Sequence, residues 1–263
     1  MRAAASALAW GAALYLALAL VLMLLQRSLI YHPQPRLLGA QGQVESLVVP
    51  PSPGVPGATL QLSVRPHSGD KALIYFGGNA EDVSLNLPSF ERTFADHAIY
   101  LLHYRGFGAS SGKPSEAALH ADALALFDWV QARHAQTAVV GRSLGTGVAV
   151  RLARLRPVAS LVLVTPYDSL QDIAARTMPL FPVRWMLIDK FESWRDAPSV
   201  SAPTLLIAAE HDEVIANAST ERLLTRFRPG VATLKRLAGT GHNSIDGSPG
   251  YLAAMAAALG AAD

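Results

Sequence analysis

Gly141-Arg142-Ser143-Leu144-Gly145 stands between an apolar run, residues 137–140, and a helix-like segment of small and apolar residues, 146–153. A strand that reverses at once into a helix through Gly-x-Ser-x-Gly makes a sharp turn that lifts the serine hydroxyl clear of the backbone. The glycines serve mechanics: side chains two before and two after the serine would collide as the chain reverses. The same pattern recurs at Gly108-Ala109-Ser110-Ser111-Gly112 and serves as a control. There the first glycine lies several residues past the strand-like run 99–104, and Lys113-Pro114 follows where a helix would have to begin. Ser110 therefore reads as a loop residue and Ser143 as a candidate nucleophile.

The segments around Ser143 alternate between strand-like and helix-like, which predicts a mainly parallel sheet with helices on both faces. Residues 44–49 and 59–64 read as a hairpin with 50–57 as its loop. Further strands are expected at 72–76, 99–104, 137–140, 160–164, 204–209 and 232–237. Helices are expected at 87–97, from Ser115-Glu116 onward, from the turn at Ser143 to Arg156, at 218–227 and at 249–259. Between 165 and 203 the rhythm breaks. That segment is too long for an ordinary connection and too apolar for a solvated loop, and it fits either a lid over a pocket or a helical excursion on the sheet edge.

From Ala3 to Leu25 there is no charge, and the run is long enough to cross a bilayer as a helix. No small-x-small site follows it, which favours an uncleaved anchor over a cleaved signal peptide. Arg2 lies on one side, Arg27 and Arg36 on the other, so the positive-inside count is nearly balanced; the reading places the amino terminus inside and the rest outside, periplasmic or lumenal. The whole chain has 263 residues, 51% of them hydrophobic, and beyond the anchor it can bury one substantial core. A net charge of +2 without a basic run gives no indication of nucleic acid as a partner, and the absence of Cys excludes disulfides, thiolate metal ligands and a cysteine nucleophile.

A serine hydroxyl needs an imidazole to take its proton, and the imidazole needs a carboxylate to fix its tautomer. In this strand order the partners follow as acid, then histidine. Of eight histidines only His211 and His242 follow Ser143, and only His242 has acidic residues at a suitable distance before it. His242 sits in the glycine-rich turn Gly239-Thr240-Gly241-His242-Asn243. Asp212, directly after the run 204–209, is the expected acid; Glu210 and Glu213 compete, and Asp168 is the reserve. The oxyanion donors are expected to be the backbone amides of Leu144 and of Asn79, in Phe76-Gly77-Gly78-Asn79-Ala80.

These motifs, with Tyr104-Arg105-Gly106-Phe107-Gly108-Ala109-Ser110, Thr165-Pro166-Tyr167-Asp168-Ser169 and Glu210-His211-Asp212-Glu213, come in an order that resembles the α/β-hydrolase fold family. More narrowly, the chain is similar to small membrane-anchored serine hydrolases of the α/β-hydrolase-domain-containing type. The resemblance implies an eight-stranded sheet, a Ser143, Asp212, His242 triad, no cofactor or metal, and hydrolysis of ester, thioester or amide bonds. Relatives often carry His-Gly where this chain has Gly77-Gly78. The expected organisation is an anchor over 1–27, a connector and first strand over 28–58, and a hydrolase domain over 59–263 with a lid at about 166–202. The expected activity is cleavage of small or lipid-like acyl esters or thioesters; a peptidase or amidase, and a non-catalytic membrane-tethered binding protein, are the alternatives.

Overall fold

The computed structural model describes residues 2–36 and 42–260; residues 37–41 of the expected connector, residue 1 and residues 261–263 lie outside these. A long helix α1 (Arg2–Ile30) leads into the hairpin β1 (Gln43–Val49) and β2 (Ala58–Arg65). Then come β3 (Lys71–Phe76), α2 (Leu87–Thr93), β4 (Ala98–His103), α3 (Glu116–Gln131), β5 (Gln136–Arg142), α4 (Leu144–Leu155) and β6 (Leu161–Val164). Three short helices, α5 (Leu170–Thr177), α6 (Val183–Met186) and α7 (Ser193–Asp196), fill the irregular segment. The chain closes with β7 (Thr204–Ala209), α8 (Asn217–Leu224), β8 (Ala232–Leu237) and α9 (Pro249–Leu259).

The eight strands form one sheet in the order β1-β2-β4-β3-β5-β6-β7-β8. Only β2 runs against its neighbours, β1 and β4; every other pairing is parallel. Strand alternation divides the core in two. Ala72, Ile74 and Phe76 of β3 point to the face covered by α3, α4 and α8, whereas Leu73 and Tyr75 point to the face covered by α2 and α9. All five are fully buried, as the middle of a two-faced sheet requires. α2 ends at Thr93, short of the expected 97, because the chain turns there and places both Phe94 and His97 in edge-to-face contact under β4.

The loop after β4 is fastened from inside. Arg105 and Asp122 are almost wholly buried and paired through two bonds of 2.6 and 2.7 Å, which ties the loop to α3. Removing one partner of such a pair strands the other charge at a cost of about 3–5 kcal/mol.

Among the described residues α1 is the one helix long and apolar enough to cross a membrane. Nearly all its side chains are exposed until Gln26, which is buried. From there the chain docks on the folded body: Tyr31 is buried, and its hydroxyl and the Arg27 guanidinium both donate to Asp189, each at 3.0 Å.

Candidate active site

The loops at the carboxyl ends of the parallel strands carry the candidate residues, as open α/β sheets require. Ser143 follows β5 with φ 48° and ψ −117°, a conformation that costs a non-glycine residue roughly 1–3 kcal/mol. Its neighbours show why the two glycines are needed. A Cβ on Gly145 would lie 2.1 Å from the Phe76 carbonyl oxygen, and one on Gly141 would lie 2.5 Å from the Gly145 oxygen. Backbone on both sides leaves no room. The turn is held by the Ser143 N–H donating to Val164 O (2.9 Å) and by the Thr146 amide and hydroxyl donating to Ser143 O (2.9 and 2.7 Å).

His242 Nε2 lies 3.0 Å from Ser143 Oγ, and His242 Nδ1 lies 2.9 and 3.0 Å from the two oxygens of Asp212. Three residues up to 99 positions apart therefore form one hydrogen-bonded chain. Asp212 Oδ1 also accepts from the amides of Val214 (3.0 Å) and Ile215 (2.7 Å), which fixes the carboxylate plane. Glu213, a competitor for the acid, instead accepts the His242 backbone N–H at 3.0 Å. That bond and its own amide hold its carboxyl below the usual range. Glu210 accepts from Gly239, and His211 is an exposed turn residue.

Asp168, the reserve acid, is committed elsewhere. It accepts from Ser219 Oγ, from Arg222 Nε and from the Ser169 amide. Burial would raise its pKa, but Arg222 and Ser219 keep it below the ordinary carboxylate value. Ser110, the control serine, is buried in a loop and acts as a latch: its hydroxyl donates to His103 O (2.7 Å) and accepts from the Gln61 amide (2.8 Å).

The loop after β3 comes close to Ser143, with 3.8 Å between Ser143 Cβ and the position a Cβ would take on Gly78. The Gly78 N–H turns away and donates to Glu81 Oε2 at 2.6 Å. Among the described residues, the Asn79 and Leu144 amides donate to no protein acceptor. Asn79 is gripped from α1's end: its side chain donates to Ile30 O (3.0 Å), and its carbonyl accepts the His32 N–H (2.9 Å). Glu81 also accepts from Tyr75 and Asn86, and Arg142 lies 3.6 Å away. Burial would lower the Arg142 pKa, but Glu81 and Tyr75 raise it above its ordinary value.

A cavity of about 570 Å³ opens beside Ser143 and His242. Its walls are largely apolar and come from α1, the loop after β3 and the segment between β6 and β7. The residues that sequence reasoning missed are Glu81 and the α1 positions Leu22, Met23, Gln26, Leu29 and Ile30. Their one local signal is spacing: 22, 26, 29 and 30 share a helical face. Among the described residues no group of three or more His, Asp or Glu side chains is gathered to hold a metal ion.

Residues 71–187 match the profile of the α/β hydrolase fold. The chain belongs to the α/β-hydrolase fold family. This α/β-hydrolase is 34% identical over 233 residues to an uncharacterized protein of Mycobacterium tuberculosis, a match covering 83% of this chain and 80% of that one. It is 34% identical over 168 residues to the lysophosphatidylserine lipase ABHD12 of Xenopus tropicalis, covering 54% of this chain and 43% of the relative. Among solved structures, a Pyrococcus furiosus esterase shares the fold with a TM-score of 0.69 at 17% identity, covering 87% of this chain and 98% of that one. Fold and relatives together support hydrolase activity.

Proposed function

We propose that this α/β-hydrolase is a membrane-anchored serine hydrolase of acyl esters or thioesters. The observation that carries the reading is the chain of contacts from Ser143 Oγ through His242 to Asp212, at 3.0 and 2.9 Å, with the serine raised on a strained turn. In the proposed cycle Ser143 Oγ attacks the acyl carbonyl while His242 Nε2 takes its proton, and Asp212 holds the Nδ1–H and stabilises the imidazolium. The amides of Asn79 and Leu144 receive the oxyanion. His242 then returns the proton to the leaving alcohol or thiol, and water, deprotonated by the same nitrogen, releases the acid from Ser143.

Two features support an acyl substrate: the apolar lining of the cavity and the lipase and esterase names of relatives. Anchoring is supported by the length and apolarity of α1 and by its firm attachment through Gln26, Arg27 and Tyr31. A cleaved leader would take away part of the cavity wall. Labelling with a fluorophosphonate is the test. Wild type is expected to form an adduct, Ser143→Ala none, and His242→Ala to label at least a hundredfold more slowly; an adduct that survives Ser143→Ala refutes the assignment.

A further inference from the structure

α1 and the segment between β6 and β7 stay together over much more of the helix than a tether requires. Gln26 donates to Met186 O and accepts from the Ile188 amide at 2.7 Å. Eleven positions earlier, Tyr15 donates its hydroxyl to Leu180 O at 2.9 Å and stacks on Phe181 with ring centres 5.3 Å apart. At about 1.5 Å per residue these two points of contact are about 16 Å apart along the axis.

That distance conflicts with a bilayer ending where the globular body begins. Crossing a hydrocarbon core of about 30 Å takes about twenty helical residues, and the uncharged stretch starts at Ala3. The core is then used up near Leu22, so Tyr15 lies about 10 Å inside it. Sliding the helix does not remove the difficulty, because the twelve uncharged residues Ala3 to Leu14 make only about 18 Å before the charge of Arg2 is reached. Tilt lengthens the required path and pushes Tyr15 deeper. Whatever is bonded to Tyr15 shares its depth.

The residues placed there suit that depth. Leu180, Trp185 and Ile188 are 81%, 90% and 58% exposed, three large apolar side chains that present most of their surface outward. Arg176 and Arg184 stand exposed on the same segment, where cations can meet headgroup phosphates. The cavity that reaches Ser143 is lined by Leu22 and Met23 of α1 and by Phe181 and Met186 of the segment between β6 and β7.

We propose that the tip carrying Leu180, Trp185 and Ile188 is inserted in the leaflet nearest the catalytic body, so that the Ser143 cavity opens between α1 and this tip onto the bilayer. The acyl substrate is then a membrane-resident lipid that passes sideways to Ser143 without its chain crossing water. This rests on α1 being an anchor and Ser143 the nucleophile.

The chain has no cysteine, so single-cysteine variants of the full-length protein in phosphatidylcholine vesicles can carry a nitroxide at one site each. Labels replacing Trp185 and Ile188 are expected to relax with oxygen and resist a water-soluble nickel chelate, as at Leu14; a label at Val48, exposed on β1, should show the reverse. Trp185 and Ile188 labels that behave like Val48 overturn the proposal. If Leu14 does so as well, the anchor reading falls with it. In parallel, Trp185→Glu should lower turnover of a long-chain monoacyl phospholipid in the vesicles at least tenfold while changing p-nitrophenyl butyrate hydrolysis by less than twofold. Equal effects on both, or on neither, overturn it. Fluorophosphonate labelling of the same samples reports separately on Ser143.

Discussion

Asp212→Asn separates the role of the acid from its shape. Asp212 Oδ1 accepts two backbone amides, from Val214 and Ile215, as well as approaching His242 Nδ1. In the asparagine variant the carbonyl oxygen must keep those amides, because an NH2 group there would face two N–H donors. The NH2 is thereby forced toward His242 Nδ1, which then accepts and places the ring proton on Nε2. A protonated Nε2 cannot take the Ser143 proton. The expected loss in kcat is about 10⁴-fold, or about 5.4 kcal/mol at 1.36 kcal/mol per decade. The two backbone bonds survive, so the melting temperature should move by only a few degrees. Steady-state hydrolysis of p-nitrophenyl butyrate and thermal unfolding in the same detergent provide the two measurements. Activity within tenfold of wild type would refute the argument, and a larger loss in Asp168→Asn would transfer the acid to Asp168.

Gly145→Ala tests the turn: a methyl 2.1 Å from Phe76 O and 2.7 Å from Gly77 O can be relieved only by shifting backbone, which moves the Leu144 amide and the loop after β3 together. Destabilisation of about 1–3 kcal/mol and loss of fluorophosphonate labelling are expected; full labelling would show that the turn has slack. Burial, opposed in part by Asp82, lowers the His103 pKa to about 4 from an ordinary 6.5. Below pH 6.5 the unfolded chain therefore binds the proton first, and stability falls as pH drops from 6.5 toward 4, by about 3 kcal/mol in all. Urea unfolding at pH 7 and 4.5 should show a slope that His103→Gln reduces, and an unchanged slope counts against it.

Much of this was legible because it is local. The elbow could be read from five residues and their flanks, and the same rules that chose Ser143 set Ser110 aside, where it serves as a buried latch between β2 and β4. Strand positions followed from short apolar runs, since a sheet covered on both faces leaves little choice of residue. The end of α2 was misjudged by four residues because the turn at Phe94 and His97 is set by packing under β4, not by a local stop signal. Asp212 and Glu213 are adjacent carboxylates with the same local pattern, and only the fold distinguishes the one facing the imidazole ring from the one holding its backbone.

The contacts of α1 were not legible, for a physical reason. Gln26 with Ile188 and Arg27 with Asp189 are pairs 162 positions apart, and a polar residue at the end of an apolar run reads locally as the edge of a membrane span. Here that edge is buried and bonded, and the next residues hold Asn79 from two sides, through Ile30 O and the His32 N–H. The end of α1 and the residues just after it therefore also hold the loop carrying Asn79, which lines the same cavity as Ser143. Movement of α1 relative to the sheet would change the cavity wall and the Asn79 loop at once, and the Asp189 bonds to Arg27 and Tyr31 resist that movement. The helix is thus built into the cavity wall, and its register against the body shapes that wall.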